Sequence, residues 1–313
     1  MSSFDTFGRI PVRLQREHGR QRLSQETVMH DLPTSEEGLD MSYVKPRQTV
    51  DWKGREVAFC DWNHPLVNEP PISELLRRYS QTYHWDRLIK PGSLCVDVGA
   101  HSGDTTIPIG VFSYDHATGK PGKVLAVEPN RDVYPVLEVN TSLNTSWAEF
   151  TLSRYAVTKK DGEVVELVDN GNQNCNGGLI DPNFSEALQA QMQGLAQVRT
   201  TVEGIRLDTL LKRTYSDAEL ATLSFVKTDC EGFDKEILRA SKDLIVEYKP
   251  FLFVEWYDLF PTMEDHNDLF DAISDLGFEP LNPETLQPAS YETGKLTDLL
   301  LVHPSRRPEI ADL

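Results

Sequence analysis

The residues of this 313-residue chain best suited to chemistry fall in three short blocks, each placed just after an apolar run. The first is Asp97-Val98-Gly99-Ala100-His101-Ser102-Gly103-Asp104-Thr105, a glycine-bearing turn that should lead straight into a helix. Glycines let the backbone approach a ligand closely, and a helix start favours an anionic group. The second is Glu128-Pro129-Asn130, where a carboxylate can accept both hydroxyls of a ribose. A pyrophosphate-binding GxGxxG would need glycine where His101 stands, so the two turns in order predict a nucleoside ligand held without a pyrophosphate. S-adenosylmethionine fits that description. Its carboxylate would meet the helix start, while Asp97 and the turn would face its ammonium.

The third block, Asp229-Cys230-Glu231-Gly232, offers carboxylates for proton transfer. Methyl transfer from a sulfonium depends on in-line alignment of the acceptor. A hydroxyl acceptor also gains from a base within hydrogen-bond reach. Asp229 and Glu231 are the nearest carboxylates, extended backbone would point both the same way, and Glu255 at a neighbouring strand end is a third. Each has a structural alternative: Glu231 could cap the following helix, and Glu255 could accept from backbone amides of the 230–233 turn. Together the three would also suit magnesium, although the reading assigns no metal. Asn174 and Asn176 supply amides for a polyhydroxylated acceptor or a plain surface loop. Trp256 and Tyr257 offer stacking surfaces for an acceptor or ordinary core packing.

These blocks need a scaffold, and the remaining sequence describes one. From Pro91 onward, strand-like runs at 94–98, 124–127, 223–226, 251–254 and 299–302 alternate with amphipathic stretches at 133–143, 235–240 and 267–276. Such alternation implies a mostly parallel sheet covered on both faces, with ligands outside the carboxyl ends of its strands. Residues 1–48 are polar and read as a flexible arm, and residues 49–90 as a cap or lead-in with a strand at 56–60 and a helix at 73–89. Residues 171–194 interrupt the alternation as an insert, and a further strand is expected at 198–202. The 49 acidic against 31 basic residues give a net charge of −18, a poor start for unaided nucleic-acid binding. No run approaches the roughly 18 apolar residues needed to cross a bilayer, and the first 20 residues lack a secretory core, so a cytoplasmic location is expected. Four cysteines without a CxxC pair argue against a zinc knuckle.

The chain resembles the FkbM family of S-adenosylmethionine-dependent methyltransferases. The resemblance spans residues 49 to 303 and rests on Ile89-Lys90-Pro91-Gly92, DVGAHSGDT at 97–105, AVEPN at 126–130, Ala156-Val157, Arg206-Leu207-Asp208-Thr209-Leu210, and above all KTDCEGFD at 227–234. Asp234 and Cys230 depart from the family's usual residues at their positions. The resemblance implies an α/β fold with a Rossmann-like class I methyltransferase sheet: seven strands, mostly parallel, one antiparallel edge strand, helices on both faces and an N-terminal cap. It implies that Asp97, Gly99 and Gly103, with Ala100, His101 and Thr105, form the methionine-side turn. Glu128 and Pro129 would meet the ribose, Ala156 would border the adenine, and Asp229 would sit near the methyl group. O-methylation of a small molecule or sugar is the implied activity. The expected partners are a small-molecule hydroxyl acceptor and a second copy of the chain, with neither nucleic acid nor membrane. N-methylation and a cofactor-binding scaffold without chemistry are the alternatives.

Overall fold

The computed structural model describes residues 47–61, 70–169, 178–179, 198–230, 232–256, 263–289 and 298–313. The described chain opens with a hairpin, β1 (Gln48–Trp52) and β2 (Arg55–Phe59), followed by helices α1 (Ile72–Gln81) and α2 (Trp85–Leu88). Alternation then begins with β3 (Leu94–Val98), α3 (Thr106–Ser113), β4 (Gly122–Val127), α4 (Tyr134–Leu143) and β5 (Ala148–Ser153). A group of short strands follows: β6 (Ala156–Val157), β7 (Val164–Asp169), β8 (Gly178–Leu179) and β9 (Val198–Ile205). Helices α5 (Leu207–Thr214) and α6 (Asp217–Leu220) lead to β10 (Leu223–Thr228), α7 (Asp234–Ala240), α8 (Lys242–Tyr248) and β11 (Phe251–Glu255). The chain closes with α9 (Met263–Asp275), β12 (Glu279–Leu281), β13 (Asp298–Val302) and a 3-10 helix, Pro304–Ile310.

Seven strands form the main sheet in the order β12-β13-β11-β10-β3-β4-β5. The five from β11 to β5 run parallel, and β13 is reversed against both β11 and β12 at that margin of the sheet. Central strands buried on both faces read as unbroken apolar runs, and all five residues of β3 are buried. Their pairing aligns the carboxyl ends: Asp97 lies opposite Ala126 on one side and Lys227 on the other. One face packs α5, α7, α8 and α9 in a core around Val96, Val226 and Val254, and the other packs α1, α2 and α3 around Cys95, Phe225 and Phe253. No helix among the described residues is long and apolar enough to cross a membrane.

The lead-in differs from its expected single helix. Ile72, Leu75, Leu76 and Tyr79 form the buried stripe of α1, but His84 takes a left-handed conformation (φ 58°), so α2 starts afresh there. Trp85 then stacks on Tyr79 at 4.0 Å and meets Phe225 and Phe253 edge-on or tilted, which seats the lead-in on the sheet. The hairpin is held differently, by Asn140 on α4 and Asn144 just past its end. Asn144 exchanges two hydrogen bonds with the backbone of Ala58. Asn140 exchanges two with Cys60 and donates a third to the carbonyl of Ser102, inside the glycine turn. The second sheet, in the order β6-β9-β7-β8, stands around the expected insert, of which only residues 178–179 are described.

Candidate active site

The glycine turn after β3 is built from within. Asp97 is 0% exposed. Its Oδ2 accepts from the hydroxyls of Thr105 (2.7 Å) and Thr106 (2.6 Å), which fixes the start of α3, and Lys227 Nζ lies 3.3 Å from Oδ1. Asp97, expected to face a ligand's ammonium, is thus turned towards the start of α3 and Lys227. Gly99 is at φ 76°, and a Cβ there would lie 2.0 Å from the carbonyl oxygen of Asp229. The missing side chain lets the ends of β3 and β10 close on each other, sealed by the Asp229 amide donating to the Val98 carbonyl at 3.1 Å. Ala100 is buried, and Gly103 (φ 96°) accepts from the amide of Ile107 as α3 begins. His101 holds a left-handed φ of 47° without being glycine, with its ring 3.9 Å from Asp104.

Glu128 joins that turn to the next strand end. Its Oε2 accepts from the amide of His101 and its Oε1 from the amide of Asn130, both at 2.8 Å, while half-buried Pro129 between them has no amide to offer. The carboxyl is only 7% exposed. Burial pushes its pKa up to about 7, against the pull of those two amides and of Lys227. Each oxygen still has a lone pair for a further donor. Ala156 is buried in β6 beside Gly204.

Asp229 is the open group, its side chain 44% exposed and 3.4 Å from Lys227 Nζ. Lys227 itself is buried and donates to the carbonyl of Gly99 at 2.8 Å. Burial drags its pKa down, but Asp229, Asp97 and Asp104 outweigh that and hold it well above the usual lysine value. Sequence reasoning passed over Lys227; the available signal was a lysine inside the apolar run Leu223–Thr228. Glu255 ends β11 half-buried, opposite Asp298. Of the two readings of Trp256, acceptor stacking and core packing, its surroundings favour the second: it is 3% exposed and edge-on to Phe270 at 5.3 Å. A large ring next to a fully apolar strand removes more surface from water by packing inward. Asp234, noted only as a departure from a pattern, is buried at the start of α7, accepts from the Cys230 amide at 3.2 Å, and is pushed by burial to about 6. Glu231, Asn174, Asn176 and Tyr257 lie outside the described residues. Among the described residues no three His, Cys, Asp or Glu side chains gather as a metal site.

A cleft of about 510 Å³ bordered by Lys90, Ser93, Lys249 and Arg306 lies at the amino ends of β3, β10 and β11, the opposite end of the sheet from these groups. Arg306 there is committed to Glu309 and to the carbonyls of Ser224 and Lys249.

A doubly wound sheet with one reversed strand, and with its glycine turn, buried carboxylate and open carboxylate on three adjacent strand ends, is a Rossmann-like class I methyltransferase architecture. Residues 97–280 match the methyltransferase FkbM domain, and the chain belongs to that family. Among solved structures, the methyltransferase FkbM from Methylobacillus flagellatus KT is 16% identical over 74% of this chain and 57% of that one, with a TM-score of 0.38. A SAM-dependent O-methyltransferase from Thermotoga maritima is 11% identical over 81% and 76%, with a TM-score of 0.39. Aeropyrum pernix fibrillarin with natively bound S-adenosyl-L-methionine is 13% identical over 82% of each chain, with a TM-score of 0.37. This chain thus spans 57% of the Methylobacillus protein's length. No curated protein matches it.

Proposed function

We propose that the chain binds S-adenosylmethionine and methylates a hydroxyl oxygen of a small molecule or sugar. The observation that carries this reading is the division of labour between two strand-end carboxylates on either side of β3, Glu128 buried with lone pairs to spare and Asp229 open. The donor set fits the cofactor. Asp104, Glu128 and Asp229 only accept hydrogen bonds when ionised, which suits a ligand carrying a ribose diol, an ammonium and a sulfonium and disfavours a pyrophosphate. Glu128 would take the ribose hydroxyls on its unused lone pairs. The turn from Gly99 to Gly103 and the start of α3 would hold the amino-acid end, and Ala156 would border the base. When bound, the cofactor supplies a methyl group already activated on a sulfonium. Asp229 would accept the proton of the acceptor's hydroxyl, and the turn would hold the methyl donor in place for alignment with that acceptor.

Calorimetry with S-adenosylmethionine, S-adenosylhomocysteine and NAD tests the binding half, with the first two binding and NAD failing; tight NAD binding sinks the reading. A panel of hydroxylated and amine metabolites with isotopically labelled methyl donor tests the other half. Label confined to amines replaces the hydroxyl reading with N-methylation, and label on no acceptor, with intact cofactor binding, favours a scaffold.

A further inference from the structure

Register, more than residue type, places Lys227. It pairs with Asp97 across β3 and β10 and with Phe253 across β10 and β11, and alternation sets it on the same face as Phe225. Trp85 packs on Phe225 and Phe253 of that face, and Lys227 near the strand end is only 3% exposed. An ammonium at that depth needs partners. Three oxygens surround it: the Gly99 carbonyl accepts a hydrogen bond at 2.8 Å, and Asp97 Oδ1 at 3.3 Å and Asp229 Oδ2 at 3.4 Å form ion pairs with it. Asp97 Oδ1 accepts no hydrogen bond among the described residues, so the charge of Lys227 is its compensation. The three oxygens belong to different tasks. Asp97 fixes the start of α3, Gly99 opens the glycine turn, and Asp229 is the open carboxylate.

We propose that Lys227 is the positioning residue of the site, a single buried cation that couples the cofactor turn to the orientation of Asp229. This rests on the methyltransferase reading above. Removing the cation releases the turn and Asp229 together, so the effect of Asp229 on a bound sulfonium depends on Lys227.

Lys227→Met alone strands a buried carboxylate, so the decisive variant pairs it with Asp97→Asn, which removes both charges. Titration calorimetry gives the Kd of S-adenosylmethionine and S-adenosylhomocysteine for the wild type, Asp229→Asn, the charge-free pair, and the pair with Asp229→Asn added. Circular dichroism and Tm confirm folding; if the pair does not fold, Asp97→Asn with Lys227→Gln carries the same comparison. In the wild-type background Asp229→Asn should shift the ratio of the two affinities against the sulfonium by about threefold or more. In the charge-free background S-adenosylhomocysteine should bind about tenfold more weakly, and adding Asp229→Asn should move the ratio by less than about twofold. A merely structural lysine would lower Tm and leave the ratio shift the same in both backgrounds, which overturns the proposal, as does wild-type affinity in the charge-free pair. A wild type that binds neither ligand fails earlier, at the methyltransferase reading, and takes the coupling down with it.

Discussion

Replacing Glu128 by glutamine isolates the electrostatic cost of the buried carboxylate. In the folded protein Glu128 titrates at about 7, against an ordinary value of 4.5, because burial outweighs the amides of Asn130 and His101. Between those values the unfolded chain has lost the proton and the folded one keeps it. The stability tied to Glu128 is therefore fully present below pH 4.5 and is lost as pH rises through 7. A gap of 2.5 units corresponds to about 3 kcal/mol. Glutamine does not titrate, but it can offer an acceptor to only one of the two amides and must turn its own NH2 towards the other, a pH-independent penalty of about 1 to 3 kcal/mol. The variant should be the less stable protein at pH 4.5 and should match or exceed the wild type at pH 8. Urea unfolding of both proteins across that range measures the difference, in which distant titrating groups cancel. A difference that stays flat with pH would show that Glu128 holds its proton no more tightly than a solvated carboxyl, and the burial argument would be wrong.

The same titration predicts that S-adenosylhomocysteine affinity, measured by calorimetry, falls below pH 7 by up to about tenfold per unit, since the ribose hydroxyls need an ionised Glu128. Gly99→Ala forces a Cβ into the Asp229 carbonyl at a positive φ and should cost about 3 kcal/mol or more in denaturant unfolding. Asn140→Ala removes three hydrogen bonds and should cost about 2 to 4 kcal/mol, with weaker S-adenosylhomocysteine binding because one of them ends on Ser102. Asp229→Asn should slow methyl transfer roughly 100-fold in single turnovers at saturating ligands, while unchanged rates would remove it as the base.

The central strands were legible because burial on both faces writes a mainly apolar run, as in Leu94–Val98, interrupted only by Asp97, and Phe251–Glu255, apolar up to its last residue. The helix between β3 and β4 was legible only from the glycine turn that precedes it and not from periodicity, since all eight residues of Thr106–Ser113 are buried and leave no polar face to set a period. It also carries Pro108 and Gly110, poor helix formers tolerated because Pro108 lies in the first turn and a Cβ on Gly110 would strike Phe150. The break at His84 depends on one backbone angle that periodicity does not carry. β9 was foreseen in part as the strand at 198–202, but β7 and its pairing with β9 went unseen because Val164–Asp169 intersperses acids with apolar residues and pairs with a strand about thirty residues on. In the site, residue types were legible and directions were not. Asp97, read as ligand-facing, is fully buried, and Trp256, read as either stacking surface or core, packs in the core. Lys227 was hidden because only its register with Asp97 gives it a partner.

The asparagine clamp on the hairpin bears on what counts as a module. Similarity to the family begins at Asp97, yet Asn140 and Asn144 inside that region spend their amides on Ala58 and Cys60, well upstream of it. Trp147 likewise donates to the carbonyl of Glu56, and Arg55 lies over the rings of Tyr114 and Trp147. The stretch that heredity marks is therefore shorter than the stretch that folds as one. Transplanted at its similarity borders into a related enzyme, it would arrive with the side-chain oxygens of Asn140 and Asn144 unanswered, unless the hairpin travelled with it.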